Sequence, residues 1–241
     1  MSKTIYLVRH GETDFNTDPV PRVRGRVDVP LNAQGEAHAR QAAECLRDVA
    51  LGRIYCSAVN RALQTAELVH EAQKGPCELV VDELVIDISW GDWEGKTYLE
   101  AFGDEQASTF FNAPEKLVIP NGESFYQVMD RLRRFLVRFY QSDEQVCCIV
   151  SHGAVFNLLG CLITEAPVRK FWSFYMGGCG VSKIIMTGID NFTIGFWNSM
   201  THINYSLIII QMLINIFLIH YLNYALWPQF DWSCRCIKLI Q

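Results

Sequence analysis

The chain has 241 residues, half of them hydrophobic, and a formal net charge of −5 at pH 7. This length is sufficient for one α/β domain with a sizeable core. A net negative charge is not typical of a protein that binds nucleic acids. Any cluster of arginines is therefore expected to bind a small anion. The nine cysteines are scattered along the chain, which favours reduced thiols in a cytoplasmic protein over a disulfide framework or a metal site.

The first predicted strand covers Thr4–Val8, an apolar run that is rich in β-branched and aromatic residues. Arg9 and His10 follow directly at its carboxyl end, where open α/β sheets bind ligands. The next stretch, residues 13–30, is a long polar loop with three prolines and three arginines. Loops of this length in compact domains are usually functional or disordered, so this loop is a candidate part of a site.

Two helices and two short strands are predicted to follow the loop. Asn32 is a suitable N-cap for the first helix, whose apolar residues have helical spacing. A strand at Ile54–Cys56 leads into a second helix from Arg61 to His70, and Leu79–Val81 is the next strand candidate. Arg61 lies on the first turn of its helix, near backbone N–H groups that attract anions. On position alone, a surface arginine is the safer interpretation.

Amphipathic helices are predicted in the middle of the chain. His38 and His70 are both interpreted as ordinary helix-surface residues. The aromatic stretch 96–121 is predicted to be a helical insertion that shapes access to a site, or else a peripheral helical hairpin. A long helix after Ser124 has an apolar core stripe. Its arginines are predicted to lie largely on a solvated face: Arg131, Arg133, Arg134 and Arg138.

The last third of the predicted domain contains a continuous apolar run, Val146–Val150, which is typical of a central parallel strand. His152 follows at the carboxyl end of this strand. The carboxyl ends of parallel strands meet at one edge of a sheet, so His152 and His10 are expected close together. Two closing strands are predicted at Val181–Thr187 and Phe192–Trp197.

Five motifs occur in this order along the chain: LVRHGET followed by Asn16, RVRGRVDVPLNAQG, SAVNRALQTA, WGDWEG and VSHGAV. In type and order they resemble the motifs of the histidine phosphatase superfamily, in its phosphoglycerate-mutase-like branch. The resemblance covers about residues 1–203 and implies one catalytic domain there. The implied fold is α/β, a three-layer α/β/α sandwich with a mostly parallel central sheet and a site at the carboxyl ends of its strands.

The resemblance also implies the roles of the main site residues. His10 is the implied nucleophile, which forms a covalent phosphohistidine. Arg9, Arg61 and Asn16 are the implied phosphate ligands, because planar guanidinium groups match the geometry of phosphate oxygens. His152 is expected to stabilise the transferred oxygens. No cofactor and no metal ion are implied.

The polar loop supplies further candidates for substrate binding, namely Arg22, Arg24 and Gly25. Family members often have Gln-Gly where this chain has Arg24 and Gly25. The arginine either adds a positive charge near the substrate or points into solvent, and both interpretations are open. A second departure is Ala154, where the family usually has glycine.

The proton donor is the position at which this chain departs most from the resemblance. Counting back from Gly91 places Asp87 where family members usually have a glutamate, so Asp87 is the predicted general acid. Glu83 is the nearby alternative and a possible substrate-binding residue, since alternation in an extended segment places it on the same side. An aspartate has a reference pKa of about 3.9, so burial by its apolar neighbours must raise the pKa of Asp87.

The predicted activity is hydrolysis of a small phosphorylated metabolite by a phosphomonoesterase, a histidine acid-base phosphatase. Phosphoglycerate mutase-type phosphoryl transfer is one alternative, although true mutases of this family carry Gly-Glu-Ser where this chain has Gly11, Glu12 and Thr13. A catalytically weak, phosphatase-like interaction module is the other. The expected partner is the small metabolite and not a nucleic acid, and the oligomeric state is left open.

The composition changes in residues 205–227, which are apolar and nearly uncharged. The run is long enough to span a bilayer, which takes a helix of about 20 residues. Four polar residues in this run would be costly in hydrocarbon. Residues 204–241 are therefore a membrane anchor, an added packing helix or a tail of gene-model origin. The last is slightly favoured, because the motif pattern ends near His202. The predicted location is cytoplasmic, or membrane-tethered if residues 205–227 are an anchor.

Overall fold

The computed structural model describes residues 2–203, apart from the side chains of residues 104 and 105. The predicted tail, residues 204–241, lies outside these described residues, and its three interpretations stay predictions. Among the helices of residues 2–203, none is long and apolar enough to cross a membrane.

Six strands form one mixed sheet at the centre of the fold. They are β1 (Lys3–Arg9), β2 (Arg53–Cys56), β3 (Glu78–Val81), β4 (Val146–Ser151), β5 (Val181–Gly188) and β6 (Asn191–Ser199). The order across the sheet is β3-β2-β4-β1-β5-β6. The first four strands in this order are parallel, whereas β5 and β6 are antiparallel at one side. The prediction of a mostly parallel sheet is confirmed.

Helices cover both faces of the sheet. In the described residues the α-helices are α1 (Asp14–Thr17), α2 (Ala33–Leu46), α3 (Asn60–Ala72), α4 (Tyr98–Asn112), α5 (Phe125–Gln141) and α6 (Gly153–Ile163). Tyr55 and Ile149 belong to a hydrophobic cluster with residues of α5 and α6. Their strand neighbours Ile54 and Val150 are also buried, but alternation turns them to the opposite face, where α3 contacts β2 and β4 and packs against α2. The predicted three-layer architecture is confirmed.

Local sequence signals account for the start of α2 and the shape of α4. Asn32 caps α2, because its side-chain oxygen accepts a hydrogen bond of 2.8 Å from the Gly35 N–H. Helix α4 is kinked at Gly103, whose φ of +54° suits glycine. The rings of Phe102 and Phe110 in this helix meet the Trp90 indole edge to face. Residues 98–112 therefore form two helical segments joined at Gly103, and aromatic rings from both segments pack against Trp90.

Two predictions about exposure were wrong. Arg131 is buried, because its guanidinium donates to the Glu123 carboxylate and to the Leu84 carbonyl, so the charge is satisfied inside the protein. His38 is only 9% exposed and belongs to the buried side of α2.

Candidate active site

The pairing of two neighbouring strands brings the two predicted histidines together. Strands β1 and β4 are parallel with Arg9 opposite Ser151, so His10 and His152 both follow the carboxyl ends. The His10 N–H donates to the Ser151 carbonyl at 3.0 Å, which continues the ladder by one residue. The centroids of the two imidazole rings are 5.1 Å apart, and both side chains are buried. The expected proximity of these histidines is confirmed.

The protonation of His10 is fixed by its surroundings. Its Nδ1 donates to the Gly11 carbonyl at 2.7 Å, because a carbonyl oxygen can only accept. Burial, together with the charges of Arg61 and Arg9, holds the pKa of His10 well below its usual value of 6.5. The neutral ring therefore carries its proton on Nδ1 and leaves Nε2 unprotonated, and the Nε2 lone pair accepts a hydrogen bond of 3.3 Å from Arg61 Nε.

Arg61 connects the strand ends to the polar loop. It lies on the first turn of α3 and is almost fully buried. Its Nη2 donates to Asp87 Oδ2 at 2.8 Å and to the Gly25 carbonyl at 2.6 Å. Its Nε lies 3.3 Å from His10 Nε2, and its Nη1 donates to the Val27 carbonyl at 3.0 Å. The residue is part of the site and not a surface arginine.

Asp87 lies at the centre of the same group of side chains. Its Oδ2 is 3.2 Å from His152 Nδ1, in addition to its contact with Arg61. Its Oδ1 accepts a hydrogen bond from the Ile88 N–H. Burial raises the pKa of Asp87 from 3.8 to about 6, against the opposing charge of Arg61. In contrast, the side chain of Glu83 is exposed, on a short 3-10 helix at Glu83–Val85.

Two hydroxyl groups in the site were not identified from the sequence. Ser57 follows the end of β2, and its Oγ lies 2.8 Å from His152 Nε2. Thr65 Oγ1 accepts from the Gly11 N–H and donates to the Arg61 carbonyl. Both residues lie in the motif SAVNRALQTA, and Ser57 stands at a strand end, which was the available signal. The burial of both hydroxyls depends on tertiary packing.

Arg9 and Asn16 lie on either side of His10 in sequence and present polar groups of different kinds. Arg9 Nη1 donates to the Met176 carbonyl at 2.5 Å. Its Nε is buried and has no hydrogen-bond partner among residues 2–203. A Cβ on Gly153 would lie 3.2 Å from this Nε, so the glycine leaves room for the guanidinium. Asn16 Oδ1 accepts from both the N–H and the hydroxyl of Thr13, which closes the turn after β1.

The three loop candidates have different surroundings. Gly25 has a φ of +50°, and a Cβ there would collide with Glu94 and Trp90, so glycine is required. Arg24 is half-buried beside it. Arg22 forms an ion pair with Asp18 at 3.1 Å and donates to the Gly95 carbonyl. The structure thus places Gly25 against Arg61, whereas Arg22 contacts Asp18 within the loop and Gly95 outside it.

The assembled groups suit acid-base chemistry on an anion. A neutral imidazole with an unprotonated Nε2, a protonatable carboxyl and several guanidinium groups converge at one edge of the sheet. His152 is kept neutral as well, since burial and the charge of Arg61 hold its pKa well below 6.5. Within residues 2–203 no group of three His, Cys, Asp or Glu side chains could hold a metal ion.

Comparisons with known proteins agree with this geometry. The sequence profile described as histidine phosphatase superfamily (branch 1) matches residues 5–199. The chain is 32% identical to "Putative phosphoserine phosphatase 2" of Hydrogenobacter thermophilus, over 83% of this chain and 97% of that protein. It is also 32% identical to "Probable phosphoglycerate mutase GpmB" of Enterobacter sp., over 75% and 83% respectively. The solved structure of Bacillus stearothermophilus YhfR superposes with a TM-score of 0.76 and 32% identity, over 84% of this chain and 100% of that chain.

Proposed function

This chain belongs to the histidine phosphatase superfamily (branch 1), and we propose that it hydrolyses phosphomonoesters of small metabolites through a phosphohistidine. One observation carries the proposal. A buried carboxyl group, Asp87, lies between Arg61 and His152, and the same Arg61 donates to the unprotonated Nε2 of His10. Nucleophile, acid and cationic groups are therefore present together, as phosphoryl transfer requires.

In the first step, His10 Nε2 attacks the phosphorus atom of the ester. A P–N bond forms, and the bond between phosphorus and the ester oxygen breaks in line with it. The charge on the transferred oxygens is neutralised by Arg9 and Arg61, with His152 as an additional donor. Asn16 Oδ1 is occupied by Thr13, so its amide nitrogen is the group offered to a phosphate oxygen.

The leaving alkoxide needs a proton, and Asp87 is the proposed source. With a pKa of about 6, its carboxyl is partly protonated near neutrality and can then act as base once the alcohol has left. In the second step the Asp87 carboxylate takes a proton from water, which attacks the phosphohistidine. Inorganic phosphate leaves, and both His10 and Asp87 return to their starting states.

Hydrolysis is favoured over mutase chemistry by the first motif. The chain has Gly11, Glu12 and Thr13 where true mutases of this family carry Gly-Glu-Ser. The Thr13 hydroxyl is buried and is tied to Asn16 within the cap of α1. The similarity to a relative named as a phosphoserine phosphatase supports the same choice.

The test is phosphate release from a panel of small phosphate esters, combined with trapping of the phosphoenzyme in denaturant. His10→Ala is expected to abolish both turnover and an acid-labile phosphoenzyme. His70→Ala is the matched control, because His70 lies on α3 and bonds to the Cys77 carbonyl, away from the site. Persistent phosphate release by His10→Ala would refute the assignment of His10 as the nucleophile. Comparing the full chain with residues 1–203 tests whether the proposed catalytic domain acts alone.

A further inference from the structure

Arg24 has a fixed backbone and an unsatisfied side chain. The Arg24 carbonyl accepts from the Val27 N–H at 3.0 Å, and the Gly25 carbonyl is bound by Arg61. Both flanking residues, Val23 and Gly25, are buried. Arg24 Nε is itself buried, yet it has no hydrogen-bond partner among the described residues. A buried donor without a partner is costly, so its presence points to a group that binds there.

The charges around Arg24 are unbalanced. Arg61 is paired with Asp87, but neither Arg9 nor Arg24 forms an ion pair within residues 2–203. Burial lowers the pKa of Arg24, and the charges of Arg9 and Arg61 lower it further, while Asp87 acts in the opposite direction. The charge of the Arg24 guanidinium group therefore interacts with the charges of Arg9, Arg61 and Asp87. The side chain does not simply point into solvent, because its Nε is buried.

A phosphate group alone does not balance these charges. When Asp87 carries the proton that it donates, Arg9, Arg24 and Arg61 together supply three positive charges. A phosphomonoester supplies about 1.5 to 2 negative charges at pH 7. About one positive charge remains unbalanced, and Arg24 is the one of the three arginines that lies on the loop bordering the site.

We propose that Arg24 is a specificity-determining residue that binds a second anionic group, a carboxylate or a second phosphate, on the alcohol part of the substrate. This inference rests on the proposed function for the position of the phosphate. The planar guanidinium can bind either anion through two parallel hydrogen bonds. The expected substrates are thus small phosphate esters that carry a further negative charge.

Binding to three matched phosphonates tests the role of Arg24 without turnover. Ethylphosphonate carries one anionic group, 3-phosphonopropionate adds a carboxylate, and ethane-1,2-bisphosphonate adds a phosphonate. Calorimetry on the full chain should show that at least one ligand with a second anion binds about 10- to 100-fold more tightly than ethylphosphonate, as expected for hydrogen bonds to charged groups. The tighter of the two identifies the preferred anion.

Arg24→Gln is expected to reduce this preference to less than about threefold, because the ligands with a second anion lose more affinity than ethylphosphonate does. Arg47→Gln is the control for net charge, because Arg47 is exposed near the end of α2 and pairs with Glu44. If Arg24→Gln loses its native circular dichroism spectrum, Arg24→Lys decides, since it keeps the charge but loses the bidentate geometry. The preference is then expected to fall at least threefold.

Equal affinity for the three phosphonates, or an unchanged preference in the decisive Arg24 variant, would overturn the role of Arg24. Phosphate release from ethyl phosphate and from the phosphate ester of 3-hydroxypropanoate is measured in parallel. Without release from any ester but with a preference that Arg24 controls, the proposed function fails and the anion site stands. With release from both esters at equal kcat/KM and no binding preference, hydrolysis stands and the anion site fails.

Discussion

Replacement of Asp87 by asparagine tests the proposed role of this residue as the proton donor. Asp87→Asn keeps the size of the side chain and an oxygen that can accept from Arg61, but it cannot donate the proton to the leaving alcohol. Esters of poor leaving groups need that proton, whereas nitrophenolate leaves without one. The ratio of kcat/KM for an alkyl phosphate to that for nitrophenyl phosphate therefore isolates the acid.

The expected size of the effect follows from the pKa of Asp87. An aspartate with a pKa near 3.8 is protonated to only about 0.1% at pH 7, whereas a pKa of about 6 gives about 10%. Burial thus increases the competent acid form roughly 100-fold. General acid catalysis contributes about 10²- to 10⁴-fold, so Asp87→Asn should lower the alkyl ester rate by that factor and the nitrophenyl ester rate less than about tenfold.

The assay compares Asp87→Asn, Glu83→Gln and the unmodified chain on both esters between pH 5 and pH 8. The alkyl-to-nitrophenyl ratio of the unmodified chain should fall above about pH 6, as the carboxyl of the free enzyme loses its proton. Glu83→Gln should leave the ratio unchanged, because its side chain is exposed. A selective loss on the alkyl ester in Glu83→Gln but not in Asp87→Asn would refute the assignment.

Two further predictions concern positioning and stability. Ser57→Ala removes the hydrogen-bond partner of His152 Nε2 and should lower kcat about 10-fold with little change in KM. Ser57→Thr keeps a hydroxyl group and should restore part of the lost kcat. Steady-state kinetics check this, and an equal loss of kcat in both variants would contradict a hydrogen-bonding role for Ser57. The folded protein keeps His10 neutral, whereas the unfolded chain binds a proton below about pH 6.5, so stability should be lost as the pH falls from 6.5 to 5. In urea unfolding, His10→Ala should reduce the pH dependence of the free energy of unfolding by about 1.4 kcal/mol per pH unit. Parallel pH profiles of the variant and the unmodified chain would refute this role of His10.

The strands were predictable because their signals are local. The run Val146–Val150 is apolar throughout, since a central parallel strand is covered on both faces, and the structure places it between β2 and β1. Asn32 was predictable as a cap because its side chain bonds only three residues ahead. Fold class and the two strand-end histidines therefore followed from short stretches of sequence.

The environments of charged and polar side chains were not predictable in the same way. Arg131 lies in a run of arginines on α5 that suggests solvent, yet its partners, Glu123 and the Leu84 carbonyl, come from outside that helix. The contact between Ser57 and His152 spans 95 residues of sequence. Helical spacing identifies which side of a helix is apolar, but it contains no information on a carboxylate that another segment supplies.

The buried group formed by His10, Asp87 and His152 has an internal consistency that no single residue shows. Desolvation disfavours every charged form, so the same burial that raises the pKa of Asp87 lowers the pKa values of both histidines. A protonated acid and a neutral nucleophile are therefore compatible at one pH, although their reference pKa values are in the opposite order. The positive charge of Arg61 limits the rise in the pKa of Asp87 and adds to the lowering of the pKa values of His10 and His152. The proposed role of Asp87 as the acid therefore depends both on its burial and on its contacts with Arg61 and His152.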